Sequence, residues 1–71
     1  MTELIEVLSE LRSFGWSLRP DECWLEDGYV FYREGDECDP YGYIVQVDPD
    51  TGMCRTKGNG SGCFWTDWTK N

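Results

Sequence analysis

Histidine is missing from this chain. Its absence removes the commonest general base near neutral pH and the commonest metal ligand. Lysine is scarce: Lys57 and Lys70 are the whole supply, one in turn-like sequence and one near the end. A serine or cysteine nucleophile would find little to activate it. The Gly-rich stretch "GNGSG" (58–62) lacks the Gly-Lys-Ser/Thr ending of a phosphate-binding loop, and no helical pattern follows it. It reads as a plain hairpin turn. Fourteen acids guarantee that some carboxylates lie close together, so such a pair is no argument for glycoside hydrolysis. The expectation is a protein with no catalytic residues, no cofactor and no enzymatic activity.

Long apolar runs are missing too. None approaches the about 18 residues that a membrane span needs. The opening "MTELIEVLSELRSF" has Glu3, Glu6 and Glu10 where a secretory leader would be basic and then apolar. With Met1 in place, the expected location is the cytoplasm, that of a bacterial host if the chain is phage-encoded.

Closely spaced cysteines are the third absence. Cys23, Cys38, Cys54 and Cys63 are separated by 14, 15 and 8 residues. Structural zinc sites bring their thiolates as Cys-x2-4-Cys knuckles, so no metal site is expected. Four cysteines allow three disulfide pairings. A turn at Gly58-Asn59 would set Cys54 opposite Cys63, whereas a turn at Asn59-Gly60 would set it opposite Trp65. A bridge would add about 2–4 kcal/mol, but a reducing cytoplasm favours free thiols.

What is present points to one small folded domain spanning 1–71. The chain has 71 residues, 39% hydrophobic and 15% aromatic. A domain of this size buries only about 60% of its unfolded surface, and large aromatic side chains offset the thin core. Leu4, Val7, Leu8, Leu11 and Phe14 make one apolar stripe, which predicts a helix over about 3–14. Thr2 suits its N-cap and Gly15 a left-handed C-terminal cap, with Trp16 folding back on Leu11. The pattern then changes to period two. Strands are predicted near 29–33 ("YVFYR"), 43–47 ("YIVQV"), 53–57 and 63–68, and "ECWLE" (22–26) suits a short edge strand. "DPDTG" (48–52) supplies a turn.

The predicted fold class is α+β: an N-terminal amphipathic helix on one face of a three- to four-stranded antiparallel β-meander. Tyr29, Phe31, Val45 and Val47 are assigned to the helix side, and Val30, Tyr32 and Ile44 to the other. That second face is too apolar to leave bare: segment 16–26, with Trp16 and Trp24, is expected to cover it, the alternative being a partner.

Charge is the most specific feature. Net charge is −8, and residues 1–50 hold 13 acids against three bases, whereas residues 51–71 hold one acid against three bases. Eight of the acids fall between 21 and 39, facing only Arg33. Glu3, Glu6 and Glu10 add a stripe on the helix. So acidic a chain is expected neither to bind nucleic acid directly nor to sit on an anionic membrane. Carboxylates two apart on a strand lie about 6–7 Å from one another. That is of the order of the phosphate spacing along a nucleic acid strand. Arginine and lysine groups that grip phosphate also grip carboxylate.

Aromatic residues interleave with these acids, and aromatics at the centre of a charged patch give an interface its affinity. The reading is a small non-enzymatic protein acting by protein–protein contact. It would inhibit a basic nucleic-acid-binding protein or nucleoprotein complex by mimicking nucleic acid. Small phage-encoded antagonists of nucleases and host defence complexes, anti-CRISPR proteins among them, share this size and charge. The candidate contact residues are Asp21, Glu22, Glu26, Asp27, Glu34, Asp36, Glu37 and Asp39, with Trp24 or Tyr32 as apolar anchor. Two other classes fit the composition. One is a secreted, disulfide-stapled module presenting Trp65 and Trp68 to a sugar. There the two rings, three apart on a strand, would point to opposite faces. The other is a structural subunit of a larger assembly.

Overall fold

The computed structural model describes residues 2–60 and 62–70, the side chain of residue 2 apart. The chain opens with helix α1, Thr2–Leu11, which tightens into a 3-10 turn over Arg12–Phe14. Gly15 ends it in the left-handed conformation, with φ 95°. Gly15 N–H donates to Arg12 O at 3.0 Å and Trp16 N–H to Leu11 O at 3.2 Å. These are the two bonds of a Schellman cap, and they need φ > 0 where glycine stands. The N-cap role read for Thr2 lies outside the described side chains. Leu8 and Leu11 are buried, with Leu4 and Val7 packed beside them. Phe14 leaves the stripe, because the 3-10 turn rotates it outward, and is 44% exposed.

Five strands follow: β1 Cys23–Glu26, β2 Tyr29–Glu34, β3 Tyr43–Val47, β4 Met53–Gly58 and β5 Thr69–Lys70. They form one antiparallel sheet in chain order, a meander of five strands rather than three or four. Register decides the faces. Val30 stands opposite Leu25 and Val47, and Tyr32 opposite Cys23 and Val45. Val30, Val45 and Val47 are buried with Leu8, Leu11 and Trp16, and Tyr32 packs against that cluster. The expected facing of β2 is therefore inverted: Val30 and Tyr32 look to the helix, Tyr29 and Phe31 away from it. Alternation could not decide this, because "YVFYR" is apolar on both sides. Ile44 lies on the far side, as expected.

The expected strand at 63–68 is not one. β4 pairs instead with β5, Cys54 opposite Thr69 and Met53 opposite Lys70. Cys54 thus faces neither Cys63 nor Trp65, and the four cysteines are free thiols. Residues 62–68 run beside the outer edge of β4 as an irregular strap that lays the Trp65 and Trp68 rings over the far face of the sheet. Thr66 N–H donates to Thr56 O at 2.9 Å, and Thr56 N–H to Thr66 Oγ1 at 3.0 Å. Freed from strand periodicity, Trp65 and Trp68 both meet Arg55. Its guanidinium lies 4.9 Å from one ring centroid and 4.8 Å from the other.

Arg55 Nε–H donates to Oε1 of buried Gln46 at 2.6 Å. Tyr29 stacks on Trp68 at 5.9 Å, Phe31 tilts against Trp65 at 6.3 Å, and Trp24 stacks on Phe31 at 5.7 Å. The strap thus covers the second face in place of segment 16–26. Of that segment Trp24 and Glu26 lie on this face, while Trp16 lies in the helix-side core. Among the described residues, no helix is long and apolar enough to cross a membrane.

Candidate partner interface

From the end of β2 the chain must return to β3 through residues 35–42, which carry Asp36, Glu37 and Asp39. Gly35 makes the exit with φ 82°. Asp39 N–H donates to Asp36 O at 3.0 Å and Gly42 N–H to Asp39 O at 3.1 Å, closing two successive turns. Tyr41 N–H donates to Asp39 Oδ1 at 2.9 Å, an Asx turn of the kind aspartate favours.

A single residue from the Gly-rich stretch pins this loop. Asn59 Nδ2 donates to Asp36 O at 2.9 Å and to Asp39 O at 3.1 Å, and its backbone N–H to Gly42 O at 3.1 Å. Its Oδ1 accepts from Arg33 at 2.7 Å. Gly42 is required here, because a Cβ would sit 2.5 Å from Asn59 Nδ2 and 2.9 Å from Glu34 O. "GNGSG" is therefore more than a hairpin turn: its asparagine braces the acidic loop, while residue 61 lies outside the described residues. No pattern in the sequence marks Asn59. A lone amide between glycines is its only signal.

Topology divides the candidate acids. Asp21 and Glu22 precede β1, and Glu34 ends β2; since Cys23 pairs with Tyr32, these share one end of the sheet with Asp36, Glu37 and Asp39. Glu26 and Asp27 sit at the other end, beside Tyr29. The six residues of β2 hold the two ends about 17 Å apart. Asp39 is half-buried with one oxygen committed to Tyr41, so it shapes the loop. The remaining candidate acids are exposed. Among the described residues the ion pairs are Arg19 with Asp21 at 3.9 Å and with Glu22 at 3.8 Å, both exposed and weak.

The two candidate anchors do not share a surface. Trp24 lies on the far face, 37% exposed. Tyr32 lies on the helix side, its ring edge-on to Trp16 at 6.3 Å. Burial, helped by the charge of Glu34, raises its phenol above the usual range. Two exposed tyrosines stand where the acids gather: Tyr41, 89% exposed in the loop, and Tyr43, 40% exposed opposite Glu34. A cleft of about 670 Å³ opens at this end, lined by Arg19, Glu22, Cys23, Tyr32 and Glu34 among others. Among the described residues no three Cys, Asp or Glu side chains converge to hold a metal ion.

No protein-family model, curated protein or solved structure matches this chain.

The thiols differ in a testable way. Cys38 and Cys63 are exposed, whereas Cys23 and Cys54 are half-buried. Burial raises the Cys23 thiol, and the charges of Asp21 and Glu22 raise it further. The thiolate is the reactive form. Cys38 and Cys63 are expected to react with a thiol reagent at pH 8 about tenfold faster than Cys23. Mass spectrometry of partly alkylated protein would show the order, and equal rates at Cys23 and Cys38 would contradict it.

Proposed function

We propose that this protein acts by protein–protein contact, as an acidic inhibitor that occupies a basic nucleic-acid-binding surface of another protein. The braced loop carries the reading. Asp36, Glu37 and Tyr41 project from a turn fixed by Asn59, with Glu22, Glu34 and Tyr43 around it. A surface ordered before contact loses little conformational freedom on binding, so steering by charge is turned into affinity. The exposed tyrosines supply the apolar contact that carboxylates lack. Trp65 and Trp68 engage Arg55 and the aromatic face of the sheet, which leaves them poorly placed as a sugar platform.

The test is capture from bacterial lysate by the tagged chain at low and high salt, with and without competing DNA. The expected catch is a nucleic-acid-binding protein that DNA displaces and salt releases. Replacing Glu22, Glu34, Asp36 and Glu37 together by lysine should abolish capture. Such exposed positions typically change stability by less than about 0.5 kcal/mol each, so the variant should keep its circular dichroism spectrum. A folded variant that still captured the same protein would sink the proposal.

A further inference from the structure

β1 is an open edge of the sheet, paired only with β2. Asp27 and Gly28 have φ 52° and 83°, the geometry of a two-residue type I′ turn. Such a turn closes on a hydrogen-bonded pair, here Glu26 with Tyr29. Alternation along an antiparallel ladder makes Trp24 with Phe31 the next bonded pair. Cys23 and Leu25 therefore direct their backbone N–H and C=O groups away from β2. Among the described residues no loop backbone group reaches them.

A groove of about 370 Å³ runs beside that edge, lined by Glu3, Leu4, Pro20, Cys23, Trp24 and Leu25. Leu4 and Leu25, both half-buried against the core, give it an apolar side. Acids bracket it: Asp21 and Glu22 before the strand, sharing the single cation Arg19, and Glu26 and Asp27 after it. A second copy added here would set these acids against their own kind. A cationic strand would meet opposite charge along its length.

Resting on the reading above, we infer that the β1 edge takes an extended, Lys/Arg-rich segment of the partner by strand addition. Main-chain bonds run to Cys23 and Leu25. Residues of the added strand point alternately to the two faces. One set enters the apolar groove beside Leu4 and Leu25. The other lies along Trp24 and Glu26, where a cation finds both an aromatic face and a carboxylate. The recognised pattern is basic and apolar residues in alternation.

The test uses the full chain and a labelled peptide of three Arg-Val repeats. Its control is the same peptide with N-methyl groups on alternate amides, which keeps the charge and removes one bonding edge. Fluorescence anisotropy should show the intact peptide binding and the methylated one weakened about tenfold or more, as loss of two hydrogen bonds predicts. Amide exchange should slow at Cys23 and Leu25. Equal binding of both peptides, no binding, or perturbation confined to residues 34–41 would overturn strand addition. The last result would leave the acidic-inhibitor reading standing. That reading fails separately, if the lysate yields no DNA-displaceable partner.

Discussion

Replacing Arg55 by alanine is expected to lower the melting temperature by about 15 °C or more, since each kcal/mol moves a domain of this size by about 4–8 °C. Arg55, on β4, ties buried Gln46 of β3 to the two tryptophans of the strap. Its Nε–H is the donor to Gln46 Oε1, on a side chain only 4% exposed. Without it that oxygen stays buried and unpaired, at a cost of about 1–3 kcal/mol. Its guanidinium also lies between Trp65 and Trp68, and each such contact contributes about 0.5–2 kcal/mol. Against a total stability of about 4–11 kcal/mol for a chain this long, the loss is large.

The strap should release, and tryptophan emission should shift to the red as Trp65 and Trp68 meet water. Arg55→Lys should fall between parent and alanine, because an ammonium group keeps the charge but lacks a flat face and an Nε–H. An alanine variant melting within about 2 °C of the parent would mean that the strap is held by something else.

Gly52→Ala should destabilise by about 2–4 kcal/mol, from two separable causes. Gly52 has φ 75°, where an alanine Cβ is strained by about 1–2 kcal/mol. That Cβ would also lie 2.4 Å from Phe14 Cγ and 2.7 Å from Phe14 Cβ. Forcing them apart disturbs the helix cap that folds over the turn. It also threatens the bond from Trp16 Nε1–H to Gly52 O, 2.9 Å long in a buried setting. The companion variant Phe14→Gly removes both the ring and the Cβ that collide, and leaves the strain. In a double-mutant cycle, Gly52→Ala on the Phe14→Gly background should cost about 1–2 kcal/mol. If the cost is the same on both backgrounds, Phe14 does not press on the turn, and backbone strain is the whole effect.

Local signals in the sequence were sufficient for the helix, its glycine cap and the β3–β4 hairpin. A 3.6-residue stripe, a glycine after it and "DPDTG" each act through neighbouring residues. The edge strand was legible for the same reason, and "DG" at 27–28 would have fixed its register as a hairpin. What failed was long-range. The facing of β2 depends on which side the helix lands, and a strand apolar on both sides carries no mark of it. The strap reads as a strand because "CFWTDW" has strand-like composition. Its path is set by Arg55, ten residues before Trp65. In the candidate interface, the acids of 34–37 and 21–22 do gather, whereas Glu26 and Asp27 are carried to the opposite end. The grip of Asn59 on the loop acts across 23 residues, and no spacing rule reaches that far.

The Asn59 brace separates the loop's shape from its chemistry. Asn59 bonds to the carbonyls of Asp36, Asp39 and Gly42, atoms that nearly any residue would offer equally. Apart from Asp39 and Pro40, the side chains at 36–41 are spectators of their own conformation. The loop is a mounting on which charges and rings can be exchanged while the backbone holds its course. A chain built this way could be retuned toward a different partner surface by substitutions at Asp36, Glu37, Cys38 and Tyr41, each with little risk to folding. Such a loop is also a convenient place to graft other short recognition sequences.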